Sequence, residues 1–218
     1  MVSRPARAGE TEARRSAGDP RRTPRGALAL ASVTAVLKSV LENGLASRGV
    51  TGELGGDATV SALPPDRVTS GTDERAQLNL FLYHVTPHVG LRAAGVASGA
   101  LALELHYLVT AYGAQDYQTE ILLGHTLQLL HETPVIGREQ LGATIAALTS
   151  AGDGRVVPPA LAALVQSDLA EQVEQLRILP EFLSTEDMSK LWSSLQAKFR
   201  PSVTYKVSTI LIRGEVPT

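Results

Sequence analysis

Two apolar runs of strand length lie close together near the middle of the chain, and they constrain the fold more than any other feature. The first, Leu78-Asn-Leu-Phe-Leu-Tyr-His-Val-Thr86, is closed by Pro87. Leu78, Leu80 and Leu82 fall on one face of it and Phe81, Tyr83 and Val85 on the other, so a period of two buries both faces. The second, Leu101–Tyr112, sets Leu101, Leu103, Leu105, Tyr107 and Val109 against Glu104, His106 and Thr110, which predicts one apolar and one polar face. Arg92 to Ala100, with Gly95 and Gly99, joins them as a β-hairpin with a long loop. A sheet built on such a hairpin has to be covered by something else, and the rest of the chain supplies helices.

The first helix is expected from about Ala27, with Leu30, Val33, Leu37, Val40 or Leu41, and Leu45 in register and a stop at Glu42-Asn43-Gly44. Arg21-Arg22-Thr23-Pro24-Arg25 upstream imitates an export signal, but the apolar period runs straight through Lys38 with no small-residue cleavage site. The amphipathic helix is the better reading, and a cytoplasmic location goes with it. Ala58–Leu63 reads as a short edge strand stopped by Pro64-Pro65. Asp116 is placed as the N-cap of a helix to about His131, with Glu120, Leu123, Leu127 and Leu130 on one stripe and Ile121, Leu122 and Leu129 widening the apolar surface. Arg138–Leu148 is a second helix of this region, Ala151–Pro159 a loop, Leu161–Ala170 a helix and Val173–Leu179 a strand. Ser184 with Asp187 resembles a capping arrangement for a helix that turns Met188, Leu191, Trp192 and Leu195 inward. Pro201 ends it, and Val203–Ile212 is the last strand. The order describes a single α+β domain with a mixed or antiparallel sheet flanked by helices, over 27–215.

Residues 1–26 differ from all of this. They hold Arg4, Arg7, Arg14, Arg15, Arg21, Arg22 and Arg25 with three prolines and scarcely any large apolar side chain, so they are expected to be a disordered basic tail.

Composition narrows the chemistry. The 218 residues carry a net charge of −2 and 4% aromatics, which argues against a nucleic-acid binder, the Arg-rich tail being the one feature that favours it. There is no cysteine, which removes disulfides, thiolate metal sites and thiol nucleophiles together. No apolar run approaches membrane-spanning length. His131-Glu132 begins like a zinc-protease helix, but position 135 is Val135 and Pro134 intervenes. His84, His106 and His125 stand singly and read as hydrogen-bonded structural residues. Glu104 and Glu120 sit on apolar elements and are expected to be buried in ion pairs, with an arginine such as Arg92 or Arg177 or across a subunit boundary. No glycine-rich phosphate cradle and no nucleophile elbow is present, so no catalytic residue, metal or cofactor is assigned. The competing reading is a small-molecule enzyme or carrier with a pocket at Glu104, His106 and Glu120.

Four stretches together carry a family resemblance: Leu78 to Pro87; Leu101-Ala-Leu-Glu-Leu-His-Tyr-Leu-Val-Thr-Ala-Tyr-Gly113; Glu120-Ile-Leu-Leu-Gly124 continuing to Leu130-His-Glu-Thr-Pro-Val-Ile136; and Leu191-Trp192 through Phe199-Arg-Pro-Ser202 to Tyr205-Lys-Val-Ser-Thr-Ile-Leu-Ile212. Over about Leu28 to Arg213 the chain resembles the N-terminal domain of the cap, or tube-terminator, proteins of extracellular contractile injection systems. It departs at His88, where relatives carry asparagine, and at Ser98-Gly99-Ala100, where they tend to carry a proline pair.

The resemblance implies a fold similar to that of contractile-phage tail terminators and a non-enzymatic role. It implies a six-fold ring of copies at the end of the particle distal to the baseplate, touching the last ring of the inner tube and the last ring of the sheath. No catalytic residue or cofactor comes with it. A terminator needs complementary faces and controlled strand edges. Candidate strand-pairing edges are Ala58–Leu63 and the final strand Val203–Ile212. Candidate assembly contacts are Arg67, Asp73 and Arg92 in the long loops, and Lys206 and Arg213 on or after the final strand.

Overall fold

The two central runs pair as expected. In the computed structural model, which describes residues 28–88, 100–150, 157–167 and 169–213, β2 (Gln77–Pro87) and β3 (Ala100–Tyr112) are antiparallel, with Leu78 opposite Ala111 and Leu80 opposite Val109. The basic tail, Arg92 and most of the hairpin loop lie outside the described residues. The sheet has six strands in the order β1-β2-β3-β6-β5-β4, with β1 (Thr59–Ser61), β4 (Val135–Gly137), β5 (Gln175–Glu181) and β6 (Ser202–Arg213) completing it. Only β1 with β2 is parallel, so the sheet is mixed and the α+β class holds.

The final strand is not an edge. β6 pairs with β3 along nearly its whole length and with β5 through Thr204–Ser208, so that Ser202, Val203 and residues 209–213 have no β5 partner. The expectation that Val203–Ile212 offers a free edge therefore fails over Thr204–Ser208. The true borders are β1 and β4, three residues each, and such short borders offer little template for stray pairing.

Two bulges set which side each residue faces. Between Leu82 and His84 the β2–β3 register slips at Tyr83, and between Leu103 and Glu104 the β3–β6 register slips at Thr209. An extra residue inverts the alternation beyond it. Phe81 and His84 therefore share a side, opposite Leu108 and His106, and strict alternation of Phe81, Tyr83 and Val85 fails. The burial of both faces of β2 holds for Leu78, Asn79 and Leu80 and is lost at His84 and Val85, which are exposed.

Helices cover one side of the sheet. α1 (Ala29–Ser47), α2 (Val50–Leu54), α3 (Gln118–Glu132), α4 (Arg138–Thr149) and the short α6 (Leu169–Gln172) bury Val33, Val36, Leu37, Leu41, Leu122, Leu141 and Leu169 against Leu78, Leu105, Tyr107 and Val207. Each such aliphatic side chain removed from water contributes about 1.5–3 kcal/mol before entropy is counted. Tyr107 is fully buried, and its hydroxyl meets Thr34 Oγ1 of α1 at 2.9 Å.

Helix ends follow contacts as well as composition. α1 does not stop at Gly44; it continues to Ser47 and ends before Gly49, whose φ of 67° is the left-handed turn. Gly44 lies inside the helix because α3 packs against it: a Cβ there would stand 2.2 Å from Leu129 Cδ2. Asp116 is not the cap of α3. Tyr117 holds that position at φ 69°, without a side-chain cap, while the Gln118 carboxamide accepts the Gln115 N–H at 3.1 Å and donates to the Leu54 carbonyl at 3.0 Å. α3 is consequently rotated from the expected stripe: Gln118, Leu122, Thr126, Leu129 and Leu130 are buried, whereas Glu120 and Leu127 face outward. The expected helix at Leu161–Ala170 is broken into α5 (Pro159–Ala162), a 3₁₀ turn Ala163–Gln166 and α6, and β5 starts two residues later than expected. The cap on α7 (Thr185–Ser194) is as read: Ser184 Oγ accepts the Asp187 N–H at 3.1 Å.

Candidate functional site

The other side of the sheet carries the polar residues of β3, and much of it is buried. His106, Leu108, Thr110 and Tyr112 are all shielded. His106 Nδ1 stands 2.9 Å from Glu181 Oε2 of β5, and its Nε2 2.9 Å from Thr86 Oγ1 of β2. The Tyr83 hydroxyl donates to the same Glu181 oxygen at 3.2 Å, and the Thr204 hydroxyl donates to the Glu181 carbonyl. Glu181 thus gathers groups from β2, β3 and β6 at the corner where β5 ends. Burial first, then the neighbouring Glu181 carboxylate, hold the Tyr83 phenol above its ordinary pKa range.

In order, Thr86, His106 and Glu181 reproduce a hydroxyl–imidazole–carboxylate relay. Among the described residues next to Thr86, the remaining half of an acyl-transfer centre does not follow. The residue after Thr86 is Pro87, which has no N–H, and the His88 N–H is committed to the Ala102 carbonyl at 2.9 Å. What these groups can do is satisfy one another and fix the corner.

The proposed pocket of Glu104, His106 and Glu120 is not assembled. Glu120 is exposed on α3, on the helix side, while Glu104 and His106 point to the outer side. Glu104 pairs with Lys206 at 3.2 Å, not with Arg177, and lies 3.9 Å from His88, while Arg92 lies outside the described residues. Hydrogen bonding from Thr119 lowers the pKa of Glu120, the opposite of what burial would do. His125 reaches Glu53 at 2.8 Å, and Glu132 pairs with Arg48. Among the described residues no three His, Asp or Glu side chains gather as metal ligands.

The candidate contact residues are scattered. Arg67 and Asp73 are exposed on the 3₁₀ turns Pro65–Arg67 and Gly71–Asp73 that follow β1. Lys206 lies mid-strand against Glu104, Arg213 is the last residue of β6, and Arg92 is outside the described residues.

Two features that sequence reading passed over stand toward opposite ends of the strand order. Phe182, just after β5, is 91% exposed. A small hollow of about 120 Å³ lies beside it, lined by Leu127, Pro180, Met188, Val203 and Tyr205 and by Phe182 itself. A larger hollow of about 270 Å³ lies beside β1, where Leu45, Ala46, Val50, Ala58 and Val60 form most of the wall and Glu42 part of the rim. A lone phenylalanine between Pro180 and a capping serine was the available signal for the first; nothing local marked the second.

Residues 32–218 match the Pvc16 N-terminal domain family. Among solved structures, the chain is similar to the sheath/tube terminator of the extracellular contractile injection system PVC in its extended state, with a TM-score of 0.48 and 19% identity over 86% of this chain and 57% of that one. It is also similar to the tube-terminating cap of the anti-feeding prophage, with a TM-score of 0.43 and 15% identity over 72% of this chain and 50% of that one. The chain therefore spans little more than half the length of these solved chains. No curated protein matches it.

Proposed function

Because the chain belongs to the Pvc16 N-terminal domain family, we propose that it is the cap that ends the inner tube and sheath of a contractile injection particle, acting by surface contact and not by turnover. The observation that carries this reading is the extent of the family match: residues 32–218 take in the whole sheet and every helix except the first turn of α1. Under this reading residues 27–215 are the cap body and 1–26 a basic appendage. The protein is made in the cytoplasm and built into the particle there.

The body binds the last ring of tube and the last ring of sheath, and copies of it close into a ring, six in number. Arg67 and Asp73, exposed on turns next to the β1 border, suit contacts with those partners, as do Arg92, Lys206 and Arg213. β1 presents an open flank at which a neighbour's strand can be added, but three residues supply few ladder bonds. Side chains must then provide most of any such contact.

Electron microscopy of particles from a strain lacking this gene tests the reading. Overlong, unstable or detached sheaths are expected. Full-length particles that contract normally without the protein would sink it.

A further inference from the structure

We propose that neighbouring copies dock by seating Phe182 of one in the hollow beside β1 of the next. This rests on the ring reading above and adds the residues that would make its contact.

Three observations carry it. First, Phe182 is a prepared knob. The residue before it is fixed by the bonds of Glu181 to Tyr83, His106 and Thr204, and two residues later Ser184 caps α7. The chain on either side of Phe182 is therefore anchored, which limits the backbone ordering that binding must supply, and an exposed aromatic is the usual anchor of an interface. Second, the hollow beside β1 suits an apolar ring. Its floor is the buried Leu45, Val50 and Val60, and its one carboxylate, Glu42, is already paired with Lys38 at 2.5 Å.

Third, the two lie toward opposite ends of the strand order. β4 covers only the start of β5, so the end of β5 is a local border, and β1 is the other. The span from β1 to β5 is four inter-strand spacings, roughly 19 Å. Knob and hollow on different surfaces give a head-to-tail contact, the kind that rotation closes into a ring. The small hollow beside Phe182 does not compete as receiver. It shares the surface of the knob, so a contact through it would pair two copies and stop.

The chain has no cysteine, which makes the test direct. Ala46 and Phe182 are both exposed, so substitutions there leave the core intact. Full-length protein is followed by native mass spectrometry across a concentration series, for wild type, Phe182→Glu and Ala46→Trp. Phe182→Cys and Ala46→Cys are then combined in one chain and oxidised. Expected are rings for wild type, assembly weakened roughly thirty-fold or more in both single variants, and a ladder of covalent multimers from the double-cysteine chain. If wild type forms rings but Phe182→Glu forms them equally well, or the cysteines do not join, this contact is wrong and the ring survives. If wild type stays monomeric or stops at dimers, the ring reading falls and takes the contact with it.

Discussion

Arg200 grips Glu74 with two hydrogen bonds of 2.9 and 2.7 Å across 126 residues of chain. The same carboxylate accepts the Gly113 N–H at 3.0 Å and the Gly71 N–H at 3.3 Å, and the guanidinium lies 5.4 Å from the centre of the Tyr112 ring. Glu74 is buried, and it ties together the turns after β1, the end of β3 and the entry to β6. Truncating Arg200 strands a buried charge, so Arg200→Ala is expected to cost about 3 kcal/mol and Arg200→Lys less, since it keeps the charge and loses the fork. Urea denaturation measures both. A loss below about 1 kcal/mol for the alanine variant would mean that water serves Glu74 as well as Arg200 does.

Gly44→Ala sets two effects against each other. Alanine favours the helix by about 1 kcal/mol. Its Cβ, however, would meet Leu129 Cδ2 at 2.2 Å and Cδ1 at 2.8 Å, and overpacking of this kind costs about 1–3 kcal/mol. Net destabilisation is expected. Combining it with Leu129→Ala should cost less than the two single changes summed, in a double-mutant cycle by chemical denaturation. Strict additivity would show that the helices do not meet there.

Alkali is expected to unfold the protein by way of its tyrosines. Burial raises the pKa of Tyr83, Tyr107 and Tyr205, and pushes Tyr112 up to about 12, with Arg200 opposing and Glu74 adding. A folded value above the unfolded one, 10.0, means the stabilisation is complete below pH 10 and is lost as pH rises toward the folded value. Tyr107 alone contributes up to about 1.4 kcal/mol per pH unit in that window. Tyr107→Phe should flatten the fall in stability above pH 10, while losing the Thr34 bond at neutral pH. An unchanged alkaline slope would refute this.

Asn79 takes the place of a strand at the end of β1. It is fully buried, its Oδ1 accepts the Leu63 N–H at 3.0 Å and its Nδ2 donates to the Leu63 carbonyl at 2.8 Å. Asn79→Ala leaves both backbone groups without that partner and is expected to cost about 2 kcal/mol. Amide exchange at Leu63, followed by NMR, should speed up more than exchange at Leu80. Equal acceleration at both would mark a general loosening instead.

The elements that sequence reading found are those with a local signature. The alternation of Leu101 to Val109, the period of Val33, Leu37 and Leu41, and the Ser184–Asp187 cap each need only neighbours a few residues away. The misses depend on distant partners. A helix stop and a close-packing glycine look alike until Leu129 is brought onto Gly44. α3 has apolar residues nearly all round, from Ile121 to Leu130, so its buried side is decided by what Leu54 and Gly44 offer it. The bulge at Tyr83 falls in a run that is apolar on both faces, so alternation shows no break. The inner position of β6 follows from pairing with β5, which no spacing announces. The candidate contacts chosen for charge scattered, while Phe182, which has no charge, is among the most exposed side chains in the fold.

Both bulges flank one short stretch of β3, Leu103 to Tyr107, and past that level β2, β3 and β6 outrun the helices, leaving Val85 and Leu101 exposed. The result is a three-stranded blade whose bending axis is set by two extra residues, one on either side of the middle strand. Force applied at its tip is carried along the strands into the ladder hydrogen bonds before it strains any core side chain.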